Sequence, residues 1–535
     1  MSELERMAHG VLMASFAGPV VPPWLLARLE VGLGSVALFP SNVQSSSQVR
    51  PLTDALREAA SGVLVATDEE AGDVTRLHVA TGSPWPGNAA LGVVDDVRRT
   101  ELVAAGVGAE LVAAGIDLDL APVVDVNSNS ENPVIGVRSF GASAELVARQ
   151  AGAFVAGLKS AGVGACAKHF PGHGDTAVDS HLGLPVVDAS LEVLRERELV
   201  PFAAAVAAGS VAVMTSHVVL PALDAGLPAT LSAPVVDVLR SELGFDGVVV
   251  TDALDMAGVS AGRGLPAAAV AALAAGCDLL CLGADGVESD VEAVVAAIVA
   301  SVRTGELAEE RLASAERRVR SARRRIDRLR EAAGAAEPVD VLAAAGAAGP
   351  VDVANAVAAE LAAGHEVARA AVAVDGALPD LRGVPVIRFR TGLNLAVGQV
   401  PWGLPLDGSV QGGHHPVDVT ETTDVEEVMR EAMSVSGQDG GPIVALVRDA
   451  HRHPWVLEAL RRLDHWFPHL VTVEMGWPGC ERLPGRTQVR TYGAARANCE
   501  ALDEVLAGAG PVGSVASRPP RAPRPPVASR PPAGS

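Results

Sequence analysis

The chain has 535 residues, a formal net charge of −22 at pH 7 and a hydrophobic fraction of 49%. This length provides for two domains of unequal size, each with a substantial core. The acidic balance excludes nucleic acid and anionic membrane surfaces as the main partners.

The N-terminal apolar run at 11–21 does not have the charge pattern of a signal peptide. It follows Glu3 and Glu5 against only Arg6, whereas a secretory leader begins with a positive region. No apolar run reaches the roughly 20 residues of a membrane span. Five scattered cysteines without a C-x-x-C pair are typical of buried free thiols in a reducing compartment. We therefore expect a cytoplasmic protein with no membrane partner.

Short apolar segments alternate with helical patterns over the first half of the chain. Strands are predicted at 11–16, 35–39, 63–67, 118–124, 164–169, 211–216, 248–251 and 279–282, and helices at 95–114, 146–161 and 266–275. Near-continuous apolar strands separated by helices are typical of a parallel sheet covered on both faces. Eight such units favour a (β/α)8 barrel of the TIM type over an open sheet, and no G-x-G-x-x-G follows the first strand.

The second half of the chain predicts a smaller α/β domain of the αβα sandwich kind. An arginine-rich helix at 309–333, with an expected solvated charged face, ends a barrel domain at 1–335. An Ala/Gly-rich linker at 336–350 leads to the second domain at 351–510. Strands are predicted there at 384–389, 442–447 and 471–475, and helices at 454–463 and 494–506. The Pro/Arg-rich tail at 511–535 is expected to be disordered or polyproline II.

The segment 168–181, K-H-F-P-G-H-G-D-T-A-V-D-S-H, concentrates ionisable chemistry in a turn-rich stretch. Lys168 is one of only two lysines in a chain that otherwise uses arginine as its cation. A lysine here indicates a need for a compact point charge. The ordinary pKa of a histidine side chain is close to neutrality, and the segment contains three histidines. We therefore predict that it is an active-site loop.

Polar residues follow five of the predicted strands, including the one that ends at Lys168 and His169. These strand-end residues are Asp68 with Glu69, Glu70 and Arg76 beyond it, Asp125 with Arg138 beyond it, Lys168 with His169, Ser216 with His217, and Asp252. Any one of them has a structural explanation, such as a helix cap for Asp252 or a rim salt bridge for Arg76. Because the working groups of a (β/α)8 barrel lie at the carboxyl ends of its strands, their convergence predicts an active site.

The donor and acceptor set at these strand ends fits a sugar better than a hydride or phosphate cofactor. Sugar hydroxyls need bidentate acceptors and fixed donors. The candidate sugar-binding residues are Asp68, Arg76, Arg138, Lys168, His169 and His217. Asp252 would then be the carboxylate beside the reacting carbon. No cofactor is called for by this set.

Four motifs resemble glycoside hydrolase family 3, in its β-N-acetylglucosaminidase branch. They are the segment 168–181, D-E-E-A-G-D-V-T-R at 68–76, N-P-V-I-G-V-R-S-F at 132–140 and V-V-V-T-D-A-L-D-M at 248–256. They occur in the family's order, and the resemblance spans roughly residues 1–330. The later region, with R-T-Y-G-A-A-R-A-N at 490–498, is similar to the second domain of longer members.

The resemblance implies a retaining mechanism with Asp252 as the nucleophile and a glycosyl-enzyme intermediate. It further implies that His181, oriented by Asp179, is the general acid/base on a mobile loop. An N-acetylglucosamine unit would be held by Asp68, Arg76, Arg138, Lys168 and His169. One departure is Asp73, where members commonly have arginine, and this puts the loop shape and the subsite charge in question.

An Asp-x-His dyad is chemically reasonable as an acid/base. Residues two apart in an extended segment point to the same side, so the Asp179 carboxylate can reach the His181 ring and fix its tautomer. A neutral base does not repel an incoming anion, so phosphorolysis to a sugar 1-phosphate stays open beside hydrolysis.

Two hypotheses about the function, each from a different class of protein, also stay open. One is a metal cluster of His169, His173, Asp175, Asp179 and His181, although Pro171 and two glycines prevent the helix that would align such ligands. The other is a non-catalytic sugar-binding protein. The aglycone is not specified by the sequence, and muropeptide fragments, chitin oligomers and β-glucosides all remain candidates. The oligomeric state is open as well.

Overall fold

The computed structural model describes residues 1–176, 184–260, 262–334, 357–392, 394, 396–411, 415–436, 441–479 and 481–509. Eight parallel strands form the first sheet, in the order β10-β1-β2-β3-β4-β5-β6-β9. Their bounds are β1 Leu12–Ala14, β2 Ser35–Leu38, β3 Leu64–Thr67, β4 Leu118–Asp119, β5 Gly164–Phe170, β6 Ala212–Thr215, β9 Val248–Val250 and β10 Leu280–Cys281. A parallel bridge between Val250 and Leu279 joins the two outer strands, so the sheet closes into the predicted barrel.

Each predicted barrel strand is present, but several are shorter than predicted. The segment predicted as a strand at 118–124 is regular only over Leu118–Asp119, because Pro122 lacks the amide hydrogen that a ladder requires. Pairing resumes beyond it, where Val124 N donates to Lys168 O at 2.7 Å. A short antiparallel hairpin that the sequence did not predict follows β6, formed by β7 Val219–Leu220 and β8 Asp224–Pro228.

Helices surround this barrel. Their bounds are Glu3–Gly10, Pro23–Glu30, Ser46–Ala59, Asn88–Val94, Val97–Ala113, Ala144–Ser160, Leu191–Val193, Leu199–Ala208, Ala233–Asp237, Ala257–Ser260, Leu265–Ala275, Glu288–Thr304 and Glu309–Ala332, with π-helical turns at Leu194–Glu198 and Val238–Glu242. The helix predicted from residue 95 begins instead at Val97. Asp95 adopts a left-handed conformation, and the Asp96 side chain caps the helix by accepting from Arg98 N and Arg99 N.

The arginine-rich helix Glu309–Ala332 is not simply a solvated face, which corrects the prediction. Its apolar side packs under the barrel through Val319, Ala322 and Ile326. Arg323 and Arg330 reach the fully buried Asp117, at 2.8 Å and 2.7 Å. A carboxylate with no solvent access requires such partners. Two arginines of this helix therefore neutralise a buried charge of the barrel.

The second domain contains a six-stranded sheet in the order β11-β16-β15-β14-β12-β13, parallel except for β11. Its strands are β11 Ala373–Asp375, β12 Val386–Phe389, β13 Val417–Val419, β14 Ile443–Val447, β15 Leu470–Glu474 and β16 Thr487–Arg490. Its helices are Ala358–Ala371, Val425–Ser436, Pro454–Trp466 and Arg496–Glu504, the last extended by a π-helical turn at Val505–Ala509. The sequence predicted three of the six strands and two of the helices. The missed strands are short or, like β16 (T-Q-V-R), carry polar residues at buried positions.

The two domains pack directly on each other. Helix Ala358–Ala371 lies against helices Asn88–Val94 and Val97–Ala113 of the barrel. The predicted linker at 336–350 and the predicted tail at 511–535 lie outside the described residues. None of the helices in the described part of the chain is both long and apolar enough to span a bilayer. The four described cysteines are buried free thiols; Cys480 lies outside the described residues.

Candidate active site

A cavity of about 630 Å³ opens at the carboxyl ends of the barrel strands. This volume is within the range of sites that bind small molecules. Six residues predicted from the sequence line it: Asp68, Arg76, Arg138, Lys168, His169 and Asp252. Glu70, His173 and Asp255 line it as well, above apolar groups such as Leu120 and Met214.

Lys168 is held between two carboxylates at the end of β5. Its Nζ lies 2.6 Å from Asp68 Oδ1 and 2.7 Å from Glu70 Oε1, and the side chain is 2% exposed. Burial would lower the pKa of Lys168, but the charges of Asp68 and Glu70 outweigh it and raise the pKa above its ordinary value. The ammonium therefore stays charged and is a fixed donor, in agreement with the requirement for a compact cation.

Asp68 has two cationic neighbours. Besides Lys168, Arg76 Nη2 lies 3.5 Å from Asp68 Oδ2 and donates to Ala396 O at 3.2 Å. Burial would raise the pKa of Asp68, but these two charges hold it below its ordinary value. The Nε and Nη1 atoms of Arg76 have no acceptor among the described residues. A buried donor without a partner costs about 1–3 kcal/mol, so a ligand oxygen at this place would stabilise the site.

Glu70 and Arg138 form a bidentate ion pair that sequence reasoning did not assign. Arg138 Nη2 and Nε lie 2.7 Å and 2.9 Å from the two oxygens of Glu70. Burial raises the pKa of Glu70, yet Arg138 and Lys168 reverse this and hold it well below its usual range. Glu70 thus positions two predicted sugar-binding cations at once. The available signal was its place two residues beyond Asp68.

Asp125 orients His169 and the loop that follows β5. His169 Nδ1 lies 2.8 Å from Asp125 Oδ2, while Asp125 Oδ1 accepts from His169 N at 3.2 Å and from His173 N at 2.7 Å. The carboxylate therefore fixes one ring and two backbone amides. It directs the other nitrogen of His169, Nε2, toward Arg138 Nη2 at 3.4 Å.

His173 is a second imidazole in the cavity wall that the prediction did not include among the site residues. Burial lowers the pKa of His173 to about 4, so the ring is neutral at pH 7. Its Nδ1 lies 3.0 Å from Thr176 Oγ1, and Asn132 Nδ2 donates to His173 O at 2.8 Å. These contacts secure the root of the loop just before the segment 177–183.

Asp252 lies two residues after the end of β9 and lines the cavity. Its Oδ1 accepts from Ala253 N at 2.8 Å, and its backbone N donates to Thr215 O at 3.2 Å. The predicted acid/base residues, Asp179 and His181, lie outside the described residues. Asp175, the last charged residue before the segment 177–183, has its Oδ2 2.7 Å from Arg197 Nη2.

His217, predicted to bind sugar, is not among the residues that line the cavity. It is buried, with Nδ1 2.9 Å from Thr230 Oγ1 and Nε2 2.9 Å from Ala253 O. The ring therefore contacts the backbone carbonyl of Ala253, the residue that follows Asp252. The structure places His217 beside the backbone of the Asp252 loop, and the predicted sugar contact stays a prediction.

Asp73 faces the second domain and does not line this cavity. Its Oδ1 accepts from Ala494 N at 2.7 Å, and its Oδ2 pairs with the guanidinium of Arg448. The Asp73 charge is therefore used in docking the two domains. The concern that it alters the charge of the sugar subsite is not supported by its position.

The second domain contributes one wall of the cavity. Ala396, Val397 and Gly398 line it, and Asn394 Nδ2 donates to Pro133 O at 3.3 Å and to Val134 O at 3.2 Å. Sequence reasoning did not find this wall, because it is small and apolar.

Within the described ranges, no group of three or more His, Cys, Asp or Glu side chains has the arrangement of a metal site. His169 and His173 point their Nδ1 atoms at Asp125 and Thr176, and Asp175 is paired with Arg197. The arrangement offers paired carboxylates as acceptors and charged donors held in place, next to a carboxylate at the end of β9. These are groups that can bind vicinal hydroxyls and stabilise a developing positive charge.

Comparisons with known proteins give consistent results. A family profile described as "Glycosyl hydrolase family 3 N terminal domain" matches residues 25–322. Beta-hexosaminidase A of Pseudoalteromonas piscicida is 41% identical over 259 residues, 44% of this chain and 43% of that protein, so the match spans under half of that relative. Beta-hexosaminidase of Xylella fastidiosa (strain M23) is 42% identical over 255 residues, 46% of this chain and 75% of that protein.

A solved structure resembles the chain over both domains. The glycoside hydrolase family 3 beta-N-acetylglucosaminidase from Paenibacillus sp. str. FPU-7 superposes with a TM-score of 0.80 at 30% sequence identity. The superposition covers 95% of this chain and 97% of that one. The two-domain architecture is therefore shared with that protein.

Proposed function

The chain belongs to glycosyl hydrolase family 3 and is a glycoside hydrolase, and within that class we propose that it is a retaining exo-β-N-acetylglucosaminidase. It would release terminal β-linked N-acetylglucosamine from cell-wall muropeptides or chitin-type oligosaccharides in the cytoplasm. The names of the relatives support the sugar and the reaction. The natural aglycone and the cellular location are part of the proposal.

The observation that carries this proposal is the hydrogen-bonded set of charges around the cavity. Asp68 and Glu70 each contact Lys168, and each also pairs with an arginine. The charge of each carboxylate is thus balanced by an arginine and the shared lysine, and all five side chains line the cavity. We propose that Asp68 accepts from sugar hydroxyls, and that Lys168, Arg138, His169 and the unpartnered nitrogens of Arg76 donate to sugar oxygens.

In the first step, the Asp252 carboxylate would attack the anomeric carbon as the glycosidic C–O bond breaks. His181, which Asp179 would orient, would donate its proton to the departing oxygen. In the second step, His181 would take a proton from water, whose oxygen attacks the same carbon and releases Asp252. Two inversions give net retention. A histidine suits this exchange because its ordinary pKa lies near neutral pH.

His173 is a weaker candidate than His181 for the acid/base. It lines the cavity, but its pKa of about 4 means that the ring carries no spare proton at pH 7. Its Nδ1 also contacts Thr176 Oγ1. His173 is therefore better suited to positioning the loop than to shuttling a proton.

Phosphorolysis is the alternative outcome of the second step, and the charge of the cavity disfavours it. Among the described residues that line the cavity there are four carboxylates, Asp68, Glu70, Asp252 and Asp255, against three cations, Lys168, Arg76 and Arg138. A cavity with a formal negative charge does not attract a phosphate dianion, so the local concentration of phosphate is not increased. Water is therefore the favoured acceptor.

Product analysis tests the proposal. The enzyme is incubated with p-nitrophenyl β-N-acetylglucosaminide and with the matching β-glucoside, each with and without inorganic phosphate, and the products are followed by proton NMR. We expect β-N-acetylglucosamine as the first product from the former substrate, independent of phosphate and of EDTA. An α-configured first product would contradict retention. Formation of a sugar 1-phosphate would establish the phosphorylase, and binding without turnover would establish a sugar-binding protein.

A further inference from the structure

A second cavity, of about 250 Å³, lies between the two domains and adjoins the sugar cavity. We call it the interdomain crevice. Three residues line both cavities: Arg138, Val397 and Gly398. The crevice is therefore reached directly from the site that contains Asp252, and a molecule that occupies both would pass beside Arg138.

The crevice lies at the place in the second sheet where ligands commonly bind. From β12 the chain runs to β13 on one side, whereas β14 pairs with β12 on its other side. The strand order thus reverses between β12 and β14, and open parallel sheets bind ligands outside the carboxyl ends of the strands at such a switch point. Thr391 and Gly392, after β12, and Arg448 and Arg452, after β14, all line the crevice.

The crevice contains four formally charged lining residues. They are Arg138, Arg448, Arg452 and Asp449. Two of the three arginines are already neutralised, Arg138 by Glu70 and Arg448 by Asp73. Asp449 Oδ1 accepts from Trp477 N at 2.8 Å.

Arg452 is the cation that remains available. Within the described ranges its guanidinium has no hydrogen-bond or ion-pair partner, and the residue is half-buried. Helix Pro454–Trp466 begins two residues later, and its N-terminal end adds partial positive charge. His453, which also lines the crevice, has its pKa lowered by burial and by Arg452, so it can donate or accept as a neutral ring.

We propose that the interdomain crevice is the aglycone-binding site and that Arg452 binds a carboxylate carried by the aglycone. This inference rests on the proposed glycosidase function, because the aglycone is defined by the sugar that the barrel cavity holds. The terminal sugar would lie in the barrel cavity, and the carboxylate of the leaving group would lie at the guanidinium of Arg452 in the crevice. A planar guanidinium suits a carboxylate because it can donate two parallel hydrogen bonds.

The test compares three substrates on the full-length enzyme. The first is p-nitrophenyl β-N-acetylglucosaminide, whose aglycone has no carboxylate. The second is the β-1,4 disaccharide of N-acetylglucosamine and N-acetylmuramic acid, whose lactyl group ends in a carboxylate. The third is the same disaccharide with that carboxylate converted to the methylamide. We expect the wild-type enzyme to prefer the acid over the amide about tenfold in kcat/KM, the worth of one charge-assisted hydrogen bond, and the preference to shrink in about 0.5 M salt.

Arg452→Gln should lower kcat/KM for the acid to the level of the amide, and should leave the amide and the p-nitrophenyl substrate within about twofold. Arg452→Lys keeps the charge and should retain part of the preference. The matched control is Arg461→Gln on helix Pro454–Trp466, where Arg461 is 61% exposed and pairs with Glu458. This control variant should leave kcat/KM unchanged for all three substrates.

A wild-type enzyme that treats acid and amide alike would overturn the inference, and so would an Arg452→Gln variant that loses activity equally on all three substrates. The wild-type comparison decides the matter even if the variant does not fold. Failure of the wild-type enzyme to cleave the p-nitrophenyl substrate at all would instead reject the proposed function.

Discussion

Lys168 Nζ lies between Asp68 Oδ1 and Glu70 Oε1, at 2.6 Å and 2.7 Å, with almost no exposure to solvent. Replacing it by methionine leaves two buried carboxylates with one positive partner fewer. We expect Lys168→Met to lower the free energy of unfolding by about 3–5 kcal/mol, measured by urea denaturation. The double variant Lys168→Met/Asp68→Asn should recover part of this loss. Equal stability of the single variant and the wild-type enzyme would show that the pair does not support the barrel.

Asp252 is proposed as the nucleophile, and its removal should abolish turnover. We expect Asp252→Asn to lower kcat by roughly three orders of magnitude or more while the protein stays folded. The control is Asp255→Asn, three residues later in the same cavity wall, which should retain far more activity. Trapping of a glycosyl-enzyme with a 2-fluoro sugar, followed by peptide mass spectrometry, identifies the labelled carboxylate. A label on any residue other than Asp252 would refute the assignment.

The loss of activity on removing the proposed acid/base should depend on the leaving group of the substrate. His181→Gln and Asp179→Asn should lower kcat/KM about 10²–10⁴-fold for a disaccharide, whose leaving oxygen needs a proton. The loss should be much smaller for an activated aryl glycoside, whose leaving group departs as a phenolate. His173→Gln is the matched control, since it alters a nearby imidazole without this dependence. A uniform loss across leaving groups in His181→Gln would argue against proton transfer by that residue.

We expect Glu198 to make the free energy of unfolding depend on pH. It is 1% exposed, its Oε1 lies 2.6 Å from Arg197 Nε, and its Oε2 has no hydrogen-bond partner among the described residues. Burial raises the pKa of Glu198 from 4.5 to about 7. Between these values the unfolded chain loses this proton while the folded protein retains it, so stability falls as pH rises from about 4.5 to about 7.

The size of this effect is about 3 kcal/mol, and Glu198→Gln should remove it. The variant should therefore gain stability over the wild-type enzyme at about pH 8 compared with about pH 5, in paired denaturation curves. Glu196→Gln, an exposed neighbour on the same helical segment, is the control and should show no such difference. A pH-independent effect of Glu198→Gln would mean that the carboxyl group titrates normally.

The domain contact through Asp73 should affect substrate binding. Asp73→Asn weakens its pairing with Arg448 and its bond from Ala494 N, and thereby loosens the wall formed by Ala396–Gly398. We expect KM to rise about three- to tenfold with little change in kcat, and thermal unfolding to separate into two transitions. Asp95→Asn, which alters an exposed ion pair with Arg149, is the control. An unchanged KM in Asp73→Asn would separate the domain contact from the site.

The barrel and the strand-end residues of the site could be predicted from the sequence for a physical reason. Buried parallel strands are apolar runs bounded by turn residues, and the strand ends of such a barrel share one face. This reasoning located Asp68, Lys168, His169 and Asp252 correctly in the cavity wall. It did not give side-chain direction, because residues that follow a strand alternate between its two sides. His217, predicted in the same way, is not among the residues that line the cavity.

Other features left no readable signal in the chain. A carboxylate that pairs inside a site, such as Glu70 or Asp125, has the same local sequence as a helix cap or a loop acid. The wall at Ala396–Gly398 comes from a distant segment without charge or periodicity. Asp73 was noticed only as a departure from a motif, and its partner, Arg448, is 375 positions away.

The loop after β3 contacts the sugar cavity and the second domain within nine residues. Asp68, Glu70 and Arg76 line the cavity, and Asp73 between them holds Arg448 and Ala494. Thermodynamic reciprocity then applies to the two contacts. If a ligand that orders this loop strengthens the association of the domains, a change that separates the domains must weaken that ligand by the same factor. The loop would then couple occupancy of the barrel to the contact between the domains.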